Sequence, residues 1–162
     1  MNGGIEIRDY RPADEAALVG LVRDLQRFET PIYDRLVPAE DIGAWHVELL
    51  QALCAKSKGR IRIVTRGGAV VGYATILTDV LVDSEPGEVS YSHAYLGELF
   101  VAASERGNGV GQLLIADCEA IARAAGAKWL RISALAGNDR ARRIYQAYGF
   151  REHVVTFEKP LT

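Results

Sequence analysis

Ala94-Tyr-Leu-Gly-Glu-Leu-Phe-Val-Ala102 runs into Arg106-Gly-Asn-Gly-Val-Gly111, and Gln112 opens the run that ends at Gly126. The first stretch is apolar on both faces, as expected of a central strand. The last carries Val110, Leu113, Leu114, Cys118, Ile121 and Ala125 at helical spacing, and Gly126 closes it. Between them, the glycines let the backbone approach a ligand closely and turn several N–H groups toward one point. The first N–H groups of the helix have no internal partner, and its dipole is positive at that end, so an anion such as a pyrophosphate suits the loop. Arg106 can add a charge-assisted contact. A glycine-rich turn that only lets the helix pack near the sheet would read the same. A P-loop needs Gly-Lys followed by Ser or Thr, whereas Gln112 follows Gly111. A dinucleotide fingerprint would need glycine at position 112 and usually lies in the first strand–helix turn.

Outward from this loop the sequence alternates between strand and helix patterns. Ile5–Arg8 reads as a strand, and Pro12, Asp14 and Glu15 open a helix with the stripe Leu18, Leu21, Val22 and Leu25. Thr30–Pro38 interrupts the pattern. A second helix is expected with Ile42, Trp45, Leu49 and Leu53 on its buried face, ending at Ser57–Gly59. Arg60–Arg66, the Gly67-Gly68 turn and Ala69–Leu77 form a hairpin signal. Thr78–His93 is the longest stretch expected to be irregular. After the glycine loop and its helix come a strand at Lys128–Ser133, a helix at Asn138–Tyr148 with Ala141, Ile144, Tyr145 and Tyr148 on one face, and a last strand at Phe150–Glu158. The order β-α-α-β-β-β-α-β-α-β implies an α/β (α+β mixed) fold, a mixed sheet flanked by helices in a single domain over 1–162.

Composition excludes several classes. The 162 residues are 49% apolar and 25% charged, with a net charge of −2, so nothing draws the chain to nucleic acid or to an anionic membrane. No apolar run is long enough to span a bilayer, and the amino terminus lacks a signal-peptide core, so a cytoplasmic protein is expected. Cys54 and Cys118 both fall in helical patterns and read as buried thiols. His46, His93 and His153 are too scattered for a metal site, so each reads as structural or exposed and no metal is expected. Charge is unevenly distributed. Between Arg66 and Arg106 there is no Lys or Arg, only Asp79, Asp83, Glu85, Glu88, Glu98 and Glu105; from Arg106 to Arg151 basic residues dominate. One region suits a cation and the other a polyphosphate, although solvated faces would give the same pattern.

Tyr95–Phe150 resembles the GNAT superfamily of N-acetyltransferases. Arg106, Gly109 and Gly111 match the family's Arg/Gln-x-x-Gly-x-Gly/Ala element, which follows a strand ending Glu98-Leu-Phe-Val101. Asn138-Asp-Arg-Ala141 and Ile144-Tyr-Gln-Ala-Tyr-Gly-Phe150 match its second conserved region, in the right order and at the right separation. The resemblance implies a mostly antiparallel sheet with a splayed central strand. It also implies acetyl-CoA as donor, its pantetheine arm pairing with Leu99, Phe100 and Val101. Gly107, Asn108, Gly109, Val110, Gly111 and Gln112 would hold the pyrophosphate, with Asn138 and Arg140 on the far wall. Many similar proteins dimerise, so a homodimer is an expectation.

Acetyl transfer needs a neutral amine, and an alkyl amine of pKa ~10.4 is only about one part in 10³ neutral at pH 7. Removing its proton costs roughly 4–5 kcal/mol, so a nearby base is useful. Glu98, an isolated carboxylate in an apolar strand, occupies the position that often serves this role in similar enzymes; an outward-facing surface glutamate would look the same. Tyr145 is the candidate acid for the departing thiolate and belongs to the donor site, although it also sits on the apolar face of its helix. Reference values of ~10 and ~8.5 make that proton transfer uphill by about 2 kcal/mol. Two-acid relatives that act on polyamines carry a second carboxylate where Gly97 stands here. The resemblance also implies that the first two helices and the loop before the central strand shape the acceptor site. Here they carry Phe28, Glu29, Tyr33 and Asp34 and the acidic stretch Asp79–Glu88, which suits a small cationic amine, although ordinary solvated loop acids would read the same. Acetylation of a protein amine (lysine or N-terminal) and a non-catalytic acyl-CoA sensor are the alternatives.

Overall fold

The computed structural model describes residues 4–82 and 86–161. Five strands, β1 (Ile5–Asp9), β2 (Arg60–Arg66), β3 (Ala69–Val82), β4 (Tyr91–Val101) and β5 (Leu130–Ile132), lie side by side in chain order. Four helices accompany them: α1 (Glu15–Glu29), α2 (Ala44–Lys56), α3 (Val110–Ala124) and α4 (Asp139–Tyr148). The first three junctions are antiparallel and β4–β5 is parallel. That last pairing runs only from Ala94↔Leu130 to Leu96↔Ile132, so β4 continues through Gly97–Val101 with no strand on that side among the described residues. This is the splay expected of the central strand.

Strand periodicity sorts side chains into two cores. Ile63, Tyr73 and Phe100 point to one face of the sheet, where they meet Leu18, Leu21 and Val22 of α1 and Val47, Leu50 and Cys54 of α2. Their sequence neighbours Val64, Ala74 and Val101 point to the other face and pack on Val110, Leu114, Ile115 and Cys118 of α3. The sheet is covered on both sides. Among the described residues, no helix is long and apolar enough to cross a membrane.

Several expectations are corrected. The stripe Trp45, Leu49 and Leu53 of α2 faces outward, at 48%, 46% and 41% exposure, and Val47, Leu50 and Cys54 are buried instead. Apolar residues surround this helix, so spacing alone permits two faces, and the sheet takes the one with the smaller side chains. On α3, Leu113 and Ala125 are exposed while Ile115 and Ala122 are buried. Half of Thr78–His93 is strand: β3 extends to Val82 and β4 begins at Tyr91, joined by Val80↔His93, Leu81↔Ser92 and Val82↔Tyr91. The ladder reaches past the acidic residues because Val80, Leu81 and Val82 supply β-prone side chains beyond Asp79. Phe150–Glu158 is not a strand. From Arg151 to Leu161 the chain is exposed and irregular, with no backbone hydrogen bond to another described residue. Its ends are held by Arg142–Glu152 (2.9 Å) and Arg35–Glu158 (2.7 Å), both exposed pairs.

The entry into α1 rests on one buried carboxylate. Asp14 accepts two bonds from the Arg8 guanidinium (2.7 and 2.8 Å) and one from the Arg11 N–H (2.8 Å), tying β1 to the turn before the helix. The bond from Arg8 holds the Asp14 carboxyl below the usual carboxylate range, against the effect of burial. Stability from this group is therefore complete above the ordinary carboxylate pKa and lost as pH falls through the depressed value. Asp14→Ala strands a part-buried guanidinium and should cost about 3 kcal/mol at neutral pH. Urea unfolding across the acid range should show a smaller acid-dependent loss in the variant than in the wild type.

Candidate active site

The register between β3 and β4 contains an irregularity that creates the site. Ala74 pairs with Leu99 and Ile76 with Leu96, so Thr75 alone faces both Gly97 and Glu98. This is a β-bulge with the extra residue on β4. Without it, Glu98 would follow Ala94 and Leu96 to the α3 face; with it, Glu98 shares the α1–α2 face with Phe100. The Thr75 hydroxyl accepts the Glu98 N–H at 2.8 Å, taking over a bond the interrupted ladder cannot make. Glycine at 97 follows from the same geometry. A Cβ there would lie 2.8 Å from Thr75 Oγ1.

Glu98 is held by two further groups. The Tyr73 hydroxyl donates to Oε2 at 2.7 Å, and His46 Nε2 lies 2.9 Å from Oε1. An ionised carboxylate only accepts, so Nε2 carries the proton in that contact. His46 Nδ1 is then a buried atom with no partner among the described residues. Burial pushes the Tyr73 hydroxyl well above its ordinary pKa, and the Glu98 charge pushes it the same way. Tyr73 therefore remains a donor across the physiological range.

Glu98 and His46 line a cavity of about 610 Å³ that reaches to the glycine loop. Glu98, Leu99, Phe100, Val101, Arg106, Gly107, Gly109, Val110, Gly111, Gln112, Asn138, Arg140 and Tyr145 all border it, as do Phe28 and Glu29. Asn108, Tyr33 and Asp34 do not border it. Tyr33 and Asp34 lie with Arg35 on the α1–α2 connection, the ring 4.6 Å from its guanidinium and the carboxylate 3.6 Å away. The acidic stretch is corrected as well: Asp79 pairs with Lys58 (2.6 Å), neither it nor Glu88 borders the cavity, and Asp83 and Glu85 lie outside the described residues. Of the histidines, His93 is buried and His153 exposed, as expected. His46 belongs to the site, and no sequence signal joins it to Glu98 because helix α2 brings them together only in the fold.

At the donor end, Gly107 and Gly109 hold φ of +83° and +77°, a region costly to any residue with a Cβ. The first bond into α3 runs from Leu113 N–H to Gly109 O (3.0 Å), leaving the N–H groups of Val110, Gly111 and Gln112 without helical partners. Arg106 donates through Nε to Val101 O (3.0 Å), with its guanidinium 5.3 Å from the Phe28 ring and 5.0 Å from the Phe100 ring. Burial, then the charge of Arg140, holds Arg106 below its ordinary pKa. An anion at this end would relieve that repulsion. Asn138 caps α4 by accepting the Ala141 N–H (3.1 Å), so this oxygen already has a structural task.

The acceptor end has the opposite sign. Glu29 is half-buried, and desolvation followed by the Glu98 charge raises its pKa. Tyr145 packs edge-on against Phe150 (6.0 Å), and burial pushes its hydroxyl up to about 12. Among the described residues there is no group of three His, Cys, Asp or Glu side chains able to hold a metal.

Residues 21–150 match the model of the Acetyltransferase (GNAT) family, and the chain belongs to that family. A search of curated protein sequences finds no match. Among solved structures, a four-substitution variant of the BH1408 protein from Bacillus halodurans superposes with a TM-score of 0.85 at 21% identity, over 96% of this chain and 99% of that one. An acetyltransferase from Trypanosoma brucei gives 0.70 at 18% identity, covering 98% and 100%. The aminoglycoside N-acetyltransferase AAC(6')-Iy, in complex with CoA, gives 0.69 at 22% identity, covering 100% and 98%. These likenesses are of fold.

The bulge predicts a coupling. Gly97→Ala should destabilise the protein by about 1–3 kcal/mol through overpacking against Thr75. In a double-mutant cycle by urea unfolding, Thr75→Ala should recover part of that loss, whereas simple additivity would disprove the contact.

Proposed function

We propose that the protein transfers the acetyl group of acetyl-CoA to a small cationic primary amine by direct attack in a ternary complex. One observation carries the reading: a bulge turns Glu98 into a cavity whose other end is the glycine–arginine cradle. The residues present fit the donor. The unpaired side of Gly97–Val101 suits an amide-bearing arm, and the free N–H groups at the start of α3, with Arg106 and Arg140, suit a pyrophosphate. When bound, acetyl-CoA supplies an activated thioester.

Glu98 takes a proton from the ammonium, directly or through water, and the freed lone pair of nitrogen attacks the carbonyl carbon. The C–S bond breaks, the Tyr145 hydroxyl delivers a proton to the leaving sulfur, and the nitrogen, which still carries two protons after attack, loses one to water to leave the neutral amide. Backbone N–H groups on the unpaired side of β4 polarise the carbonyl. Tyr73 and His46 orient Glu98. For Tyr145, burial acts against donation: a phenol at about 12 facing a thiol of ~8.5 makes the transfer uphill by roughly 5 kcal/mol. The thiolate forms in the same desolvated cavity, which raises its own pKa and narrows the gap.

The charge pattern favours a cationic acceptor. Glu29 and Glu98 repel across the acceptor end, and an ammonium there would relieve both the repulsion and the burial of charge. Since the Glu29 pKa is raised, its attraction for a cation fades as pH falls toward a value above the ordinary carboxylate range.

The test is CoA release from acetyl-CoA with a panel of amines. Glu98→Gln and Tyr145→Phe should each lower kcat by about 10²-fold or more, with acetyl-CoA affinity retained. Unchanged turnover in Glu98→Gln would remove it as the base, and binding without turnover on any amine would favour a sensor. Glu29→Gln should raise KM for cationic amines while sparing neutral ones, and should flatten the acid-side rise in KM. Equal effects on both amine classes would defeat the charge argument.

A further inference from the structure

Val22, Leu25, Gln26 and Glu29 stand at i, i+3, i+4 and i+7 along α1 and all border the cavity, so one stripe of that helix forms part of its wall. Phe28 and Leu36, the latter on the α1–α2 connection, border it too. Val22 is buried, and Leu25, Phe28 and Leu36 are half-buried. The polar groups among them are already engaged. Glu98 accepts from the Tyr73 hydroxyl and from His46 Nε2. Gln26 donates its amide N–H to Val37 O at 2.7 Å, which holds it on the connection. Ser133 Oγ accepts from the Tyr95 hydroxyl at 3.1 Å, and Glu105 pairs with Arg66 at 2.8 Å. Of the acids Glu29, Glu98 and Glu105 on the walls, Glu29 alone has no side-chain hydrogen bond or ion pair to another described residue.

Those engagements limit what the rest of an acceptor can be. Glu98 receives the proton of the reacting group, which leaves Glu29 as the acid free to hold an ammonium. A hydroxyl or a second ammonium buried against Val22, Leu25, Phe28 and Leu36 would lose water without gaining a partner, whereas a methylene group would gain by the transfer. We infer that the acceptor end takes a primary amine carried on an unsubstituted hydrocarbon body. Its one ammonium is met by Glu29 and Glu98, and its body lies on the apolar side chains of α1 and the connection. This rests on the acetyl transfer proposed above and narrows its cationic amine to one with a single charge and no hydroxyls. Leu25 and Leu36 are then specificity-determining residues.

Across ethylamine, butylamine and hexylamine, kcat/KM for acetyl transfer should rise by about fourfold for each added methylene. Glucosamine and 1,6-diaminohexane should be poorer acceptors than hexylamine by roughly tenfold or more. Leu25→Gln and Leu36→Gln should flatten the alkyl series. Leu36 belongs to neither core, so its variant reports even if Leu25→Gln unfolds. Leu49→Gln, on the outward face of α2, should leave the series as it is. Calorimetry with the same amines and the wild-type protein saturated with CoA reads the site without the chemistry. Hexylamine binding there with no turnover from acetyl-CoA supports the inferred site and defeats the transfer reading alone. The inference is overturned by glucosamine matching hexylamine, by a preference for diaminohexane, or by a flat alkyl series in the wild type. A series that stays steep in both leucine variants, or neither binding nor turnover of any amine, overturns it as well.

Discussion

The hydrogen bond from Glu98 N–H to the Thr75 hydroxyl is the contact on which the site depends. A single extra residue in β4 reverses the facing of everything after it, and that reversal brings a carboxylate out of the α3 core and onto the side bordered by α1 and α2. The interrupted ladder would leave a backbone donor stranded in the middle of a covered sheet, which is unfavourable without a substitute acceptor. Thr75 provides it, and glycine at 97 leaves the space for it. Strand splay then does the rest. Past Leu96↔Ile132, β4 has a neighbour on one side only, so the bulged segment borders both the acceptor cavity and a free backbone edge.

The cavity is polarised along its length. Arg106 and Arg140 crowd one end, and Glu29 and Glu98 the other; each pair is internally repulsive. Such arrangements cost stability in the protein alone and are relieved by ligands of opposite charge. Arg106 is partly neutralised in the meantime by Val101 O and by two aromatic faces, Phe28 and Phe100. These contacts also connect α1 to the end of β4 through one side chain.

Much of this was legible in the chain, and the limits have physical causes. The passage from strand to glycine loop to helix depends on local chemistry, such as positive φ at Gly107 and Gly109 and free N–H groups at a helix start, and local chemistry is written locally. The cap at Asn138 and the apolar face of α4 were readable for the same reason. The buried side of α2 was not, because two sets of apolar residues have helical spacing and only the sheet chooses between them. His46 was missed because its meaning lies in Glu98, far along the chain, and Tyr33 and Asp34 were misplaced because their connection turns toward Arg35. Phe150–Glu158 has the composition of a strand without the pairing, since composition states a preference and pairing requires a neighbour.

Tyr73 belongs to two systems at once. Its ring is fully buried between the sheet and the first two helices, and its hydroxyl holds the Glu98 carboxylate. Phenylalanine would fill the same volume, but it would leave the part-buried Glu98 carboxylate one hydrogen bond short. The hydroxyl therefore ties the packing of the interior to the placement of one carboxylate in the cavity. Whatever shifts the sheet against the first two helices moves that carboxylate with it, so core and cavity cannot be altered separately at this residue.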